Sequence, residues 1–155
     1  TFNIPIVSLV DEPGFLIGPD AEKAGTILHG TEAVLATTES TVPWTTVMIR
    51  KSFGVAAAAH YGPDGYVLAW PSAESGPLPL EGGVAVAFKK EIAEAKNPEA
   101  KRKELEEKMA KNQNPFPRAE AFSVHEIIDP RETRKYISLW AERIQSQLKA
   151  NLFKQ

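Results

Sequence analysis

Two glycine-punctuated segments hold the residues through which this sequence could do chemistry. The first is Asp11-Glu12-Pro13-Gly14-Phe15-Leu16-Ile17-Gly18, and the second is Lys51-Ser52-Phe53-Gly54 followed by Val55-Ala56-Ala57-Ala58-Ala59. Each follows an apolar, β-branched run that reads as a strand, so each falls at a carboxyl end, where open α/β sheets hold ligands. In the second, backbone N–H groups entering an Ala-rich helix start could polarise a carbonyl oxygen, as an oxyanion hole does. The same small residues also serve plain close packing of a βα turn, and the residues alone leave both readings open.

Other chemistries find little support. There are no cysteines, which excludes disulfides, thiolate metal sites and a cysteine nucleophile. His29, His60 and His125 stand at no metal-ligand spacing, so no metal is expected. Ser52 lacks the Gly-x-Ser-x-Gly elbow of a serine hydrolase. No Gly-Lys-Ser/Thr triplet occurs, and Gly14 and Gly18 lack the rest of a dinucleotide fingerprint. With 43% hydrophobic and 25% charged residues and a net charge of -2, the 155-residue chain suits one globular domain with no leaning towards nucleic acid. No apolar run approaches the roughly 18 to 20 residues that span a bilayer.

The elements that must position these turns follow from the pattern of residues. Ile4 to Val10 reads as a central parallel strand, and Pro19-Asp20-Ala21-Glu22 opens a helix to about Glu39. Trp44 to Arg50 and Gly65 to Trp70 supply two more strands, with Ser75 to Pro79 as a loop. Helices follow from Gly82 to about Lys96, from Pro98 to Lys111 and from Asp129-Pro130 to about Leu152, with a break at Pro115-Phe116-Pro117. Strands alternating with helices imply an α/β layer architecture. The chain opens on Thr1 and runs at once into an apolar strand, so its start reads as a truncation and poor solubility is expected in isolation.

Taken together, these segments resemble the biotin-dependent acyl-CoA carboxyltransferases, the β subunits of propionyl-CoA and acetyl-CoA carboxylases. The Asp11 to Gly18 segment is similar to that family's Asp-x-Pro-Gly-Phe-x-x-Gly loop, and Arg50-Lys51-Ser52-Phe53-Gly54-Val55-Ala56 to its Arg-Lys-x-Tyr-Gly-Gly-Ala segment. Thr41-Val42-Pro43, Ala69-Trp70-Pro71-Ser72-Ala73-Glu74, Asn114-Pro115-Phe116 and Ile127-Ile128-Asp129-Pro130-Arg131-Glu132-Thr133-Arg134 fall in the same order. The resemblance implies a crotonase-like α/β fold of ββα superhelical units, with residues 1–155 as the C-terminal part of a carboxyltransferase C domain and the N domain absent. It implies transfer of a carboxyl group from carboxybiotin to an acyl-CoA, with this part inactive alone. The amides of Val55 and Ala56 would meet the charge on the biotin ureido oxygen, and Gly14, Phe15 and Gly54 would shape the cofactor side. Implied partners are a biotin carboxyl carrier or biotin carboxylase subunit, the N-terminal half and further copies in a homo-oligomer, in a cytoplasmic or organelle-matrix setting. A decarboxylase subunit of the same family, or a silent partner-binding module, are the alternatives.

The sequence departs from that pattern at three places. Val55 replaces the second Gly, Ala58 replaces an Asp associated with acyl-chain choice, and Leu78-Pro79-Leu80 stands where the family has Met-Gly-Ala. Pro79 cannot donate an amide. A larger or less polar acyl group is therefore expected.

Overall fold

The computed structural model describes residues 2–152. Five strands, β1 (Ile6–Glu12), β2 (Trp44–Phe53), β3 (Tyr66–Ala69), β4 (Glu74–Gly76) and β5 (Glu126–Ile127), form one sheet. Its order is β1-β2-β3-β5, with β4 paired to the end of β2, and every pairing is parallel. The helices are α1 (Pro19–Lys23), α2 (Thr26–Thr38), α3 (Gly54–Ala58), α4 (Leu80–Ala87), α5 (Lys89–Glu94), α6 (Pro98–Gln113), α7 (Pro115–Glu120), α8 (Thr133–Arg143) and α9 (Gln145–Leu152).

Burial on both faces explains why β2 and β3 read as continuous apolar runs. One face packs Met48, Val67, Ala69 and Ala73 with Val124, and Tyr61, Ala119 and Ile127 close over them. The other packs Val47, Leu68 and Ile128 beneath Tyr66, Trp70, Tyr136 and Ile137. β1, expected as a central strand, is outermost among the described residues. It is an edge strand, with Val10 fully buried but Val7 and Leu9 40% and 58% exposed. Composition gave the strand; its place in the order depends on neighbours that composition does not reveal.

Long helices expected from periodicity are broken where the backbone requires it. The helix expected from Pro19 to Glu39 divides at Gly25, whose φ of +71° lies in the left-handed region and ends the first run. The Gly82–Lys96 helix divides at Phe88, and the final helix divides at Ile144 after a 3-10 turn at Pro130–Glu132. Pro115 does not break the chain into coil but starts α7, because Asn114 Oδ1 accepts from the Phe116 N–H at 3.1 Å and caps it. β4, expected as loop, and β5 are strands of three and two residues that exist only through their pairing.

Candidate active site

Because all strands are parallel, the turn after β1 and the turn after β2 lie at the same edge of the sheet. β2 runs three residues beyond the expected Arg50, so Lys51, Ser52 and Phe53 are strand, and the turn proper begins at Gly54. Gly54 takes φ +65°, where a side chain is strained, and a Cβ there would lie 3.5 Å from the Pro77 carbonyl oxygen. This conformation swings the chain from strand directly into α3. Within α3, Ala56 and Ala57 are buried against the sheet, while Val55 is 66% exposed and Ala58 is exposed one turn later. The first N–H groups of any helix lack acceptors within it. Here they emerge at the sheet's carboxyl edge on a face of small apolar side chains.

The predicted residues fall in two groups. Gly54, Val55 and Ala56 are consecutive at the start of α3. Gly14 stands in the neighbouring turn at φ +128°, with nothing within 4 Å of where a Cβ would be, and its N–H donates to Glu12 Oε1 at 2.9 Å. Phe15 turns back instead. Its ring lies against Gly30 of α2 so closely that a Cβ on Gly30 would meet Cζ at 2.2 Å. That contact packs the Phe15 ring on α2 and ties the loop to it.

Side chains that sequence reasoning passed over hold this edge together. Val10 pairs with Met48 but Glu12 with Ser52, so β2 bulges between them. Asp11 bridges the bulge: its Oδ1 accepts from the Lys51 N–H at 3.2 Å, and both carboxylate oxygens accept from Arg50 Nε at 3.1 Å. The Arg50 guanidinium, then the Lys51 amide, hold the Asp11 carboxyl below the usual carboxylate range. Beyond α3, Ser52 Oγ and the Tyr61 hydroxyl meet at 2.7 Å, and burial pushes the Tyr61 phenol up. Thr37 Oγ1 donates to the Ala59 carbonyl at 3.0 Å. Thr46 Oγ1 and Trp44 Nε1 both donate to the His60 carbonyl, at 2.7 and 2.9 Å, and Ser8 Oγ pairs with His60 Nδ1 at 3.1 Å. His60, which directly follows the small-residue run, is thus a fastening point. Among the described residues no group of histidines and acids could hold a metal.

A cleft of about 180 Å³ lies at the opposite edge, lined by residues including Pro43, Trp44, Tyr66, Trp140 and Ile144. It borders the amino ends of β2 and β3, away from both glycine turns, and has no place in the chemistry of the carboxyl edge.

This arrangement has close counterparts. A family model described as "Carboxyl transferase domain" matches residues 1–154. The chain belongs to the carboxyl transferase domain family. It is 39% identical over 155 residues to the propionyl-CoA carboxylase carboxyltransferase subunit of Haloferax mediterranei, covering 97% of this chain and 30% of that protein. It is 42% identical over 142 residues to the methylmalonyl-CoA carboxyltransferase 12S subunit of Propionibacterium freudenreichii subsp. shermanii, covering 89% of this chain and 27% of that one. A crystal structure of the transcarboxylase 12S hexamer with methylmalonyl-coenzyme A and methylmalonic acid bound superimposes with a TM-score of 0.83 at 41% identity, over 94% of this chain and 29% of that one. The geranyl-CoA carboxylase β subunit of P. aeruginosa, 23% identical with a TM-score of 0.83, shares the fold. The fold of this carboxyl transferase domain segment is therefore the expected crotonase-like α/β arrangement, present as a partial domain. It spans about 30% of the length of the curated relatives it matches.

Proposed function

We propose that this segment of a carboxyl transferase domain supplies the biotin-side oxyanion pocket of an enzyme that moves a carboxyl group between carboxybiotin and an acyl-CoA. The observation that carries the reading is the start of α3. The left-handed Gly54 delivers the amides of Val55 and Ala56 to the carboxyl edge of a parallel sheet, on an apolar face. That donor set suits a neutral or anionic oxygen and offers nothing to a cation, since Gly54 to Ala58 carry no side-chain acceptor. Bound carboxybiotin supplies the carboxyl group. The residues of this chain donate hydrogen bonds to an oxygen as it gains negative charge, and preorganised donors of this kind lower a barrier because they need no rearrangement. Val55 and Ala58, on one exposed face of α3, would exclude water and leave room for an acyl chain larger than acetyl or propionyl.

A carrier bearing biotin, a biotin carboxylase, the acyl-CoA-binding half and a multi-subunit assembly complete the proposal. It is supported by the names of the matching relatives, which include carboxylase, carboxyltransferase and decarboxylase subunits. The test is the native full chain assayed with a biotinylated carrier across a panel of acyl-CoAs, with a Val55→Pro variant alongside. Proline is tolerated in the first turn of a helix but has no N–H. Loss of this donor should lower kcat by about 10²- to 10³-fold, the usual cost of one oxyanion donor. A fully active Val55→Pro enzyme would exclude that amide, and a clear preference for acetyl- and propionyl-CoA would exclude the enlarged acyl pocket.

A further inference from the structure

A five-residue helix cannot hold its own direction, because isolated helices below about 12–15 residues are marginal in water. Whatever aims the α3 amides must come from outside α3. The buried contacts that do so converge just past its C-terminal end. The Ala59 carbonyl accepts from Thr37 on α2, and the His60 carbonyl accepts from both Thr46 and Trp44 on β2. Ser8 on β1 is the register partner of Thr46, and it holds the His60 imidazole. Thr46 is fully buried and Thr37 nearly so. The Thr46 hydroxyl therefore had to find a partner and found the His60 carbonyl, which the end of a helix would otherwise leave without one, while the Thr37 hydroxyl is shared between the Ala59 carbonyl and the Ala33 carbonyl of its own helix, each at 3.0 Å. The Ser52–Tyr61 bond closes the base of the same loop, so residues 59–61 are tied to three separate elements.

From this convergence we infer that Thr46 and Trp44, acting through the His60 carbonyl, are positioning residues for the transfer step, with Thr37 a third support. The inference rests on the reading of α3 as the oxyanion pocket. His60 lies four positions after Ala56, about 6 Å along a helix axis at 1.5 Å per residue. A tilt of about 10° about the His60 anchor therefore moves the Ala56 amide by about 1 Å. Displacements of that size cost up to about 10²-fold in rate when donors must meet a forming charge. Thr37 and Thr46 are buried and out of a substrate's reach, so the effect belongs in kcat rather than KM.

The experiment uses the native full chain with its biotinylated carrier and three variants. Thr46→Val keeps the shape and removes the hydroxyl, Thr46→Ser keeps the hydroxyl, and Trp44→Phe removes the indole N–H. Hydrogen exchange of the peptide spanning residues 54–61 is measured beside kinetics, and it reports the clamp without any turnover. Thr46→Val should raise exchange in that peptide about fivefold, the equivalent of one lost hydrogen bond. It should also lower kcat about tenfold with KM for acyl-CoA within about twofold, and Thr46→Ser should restore most of both. Unchanged exchange in a folded Thr46→Val protein overturns the clamp whatever the kinetics do. Faster exchange with unchanged kcat overturns the positioning role. The Val55→Pro result then says separately whether α3 bears on catalysis at all. If Thr46→Val fails to assemble, Trp44→Phe gives the same two readouts with the same two refutations.

Discussion

Replacing Gly30 with alanine drives a methyl group into the Phe15 ring, and the size of the effect can be worked out beforehand. The new Cβ would stand 2.2 Å from Cζ, 2.6 Å from Cε1 and 2.9 Å from Cε2 of Phe15. Comfortable carbon–carbon contact begins near 3.5 Å, so the ring has to retreat by about 1.3 Å. It cannot yield like the tip of a flexible chain, because an aromatic ring moves as one piece. Overpacking of this kind costs about 1–3 kcal/mol. Against that, alanine in the middle of a helix is worth about 1 kcal/mol over glycine. The two terms together make Gly30→Ala destabilising by about 1 kcal/mol in an otherwise native protein.

Removing the ring reverses the sign. In a Phe15→Ala background the collision is gone, and Gly30→Ala should then stabilise by about 1 kcal/mol through helix propensity alone. The double-mutant cycle should accordingly give a coupling of about 2 kcal/mol, far outside the roughly 0.3–0.5 kcal/mol within which independent sites add. Urea denaturation of the four proteins, followed by tryptophan fluorescence, measures each corner. An additive cycle would mean that the ring does not lie over Gly30, and the packing role given to Phe15 would fall with it. Restored stability in the double variant without restored transfer activity would be consistent with a second duty for Phe15 at the cofactor side.

Two predictions concern pH. Asp11 has a folded pKa below its ordinary value, so the bracket it makes with Arg50 and Lys51 is present above pH 3.8 and is lost as pH falls through the folded value. The Lys51 amide resonance should therefore titrate with a midpoint below 3.8, and a midpoint at or above it would refute the assignment. Asp11 is partly exposed, so the accompanying change in global stability should be small. Tyr66 runs the other way: burial first, then its hydrogen bond to Glu126, push the phenol up to about 12. Its contribution to stability is complete below pH 10 and is lost as pH rises through 12. The difference in phenolate absorbance between wild type and Tyr66→Phe should appear near pH 12, and a component titrating near 10 would show the phenol to be unperturbed.

The parts of the fold legible in the sequence are those fixed by local composition. Val47, Ile49, Val67 and Leu68 announce strands because branched and apolar residues suit a sheet buried on both faces. The two glycine turns were visible for the same reason, since a Gly after a strand marks a backbone excursion. Partner-dependent features were not visible. β1 lies at the edge although its residues read as central, and β4 and β5 have two or three residues with no pattern of their own. Gly25 breaks a helix through a positive φ that a single glycine in a periodic stretch does not advertise. Asn114-Pro115 can end one helix or cap the next, and here it does both. At the site, the turns could be found but not the groups that aim them. Thr37 and Thr46 reach carbonyls 22 and 14 residues away, and nothing in their own surroundings marks them as different from other strand or helix threonines.

That asymmetry is what the proposed chemistry, done by backbone amides, would produce. A catalytic side chain is recognisable by type, whereas an N–H donor is present at every residue except proline. What distinguishes a useful amide is its direction, and direction is set by φ at Gly54, by how closely small residues let a helix approach the sheet, and by where its far end is tied. Ala56 and Ala57 are buried, so their methyl groups set the height of α3 above β2. Any larger side chain at either position would lift the helix as a body, about the anchors at Ala59 and His60. The departures at Val55 and Ala58 sit on the opposite, exposed face and leave that height untouched. Under the proposed function, the acyl side of the pocket could therefore vary in size and polarity while the donors keep their aim, because the exposed Val55 and Ala58 and the buried Ala56 and Ala57 occupy different faces of the same short helix.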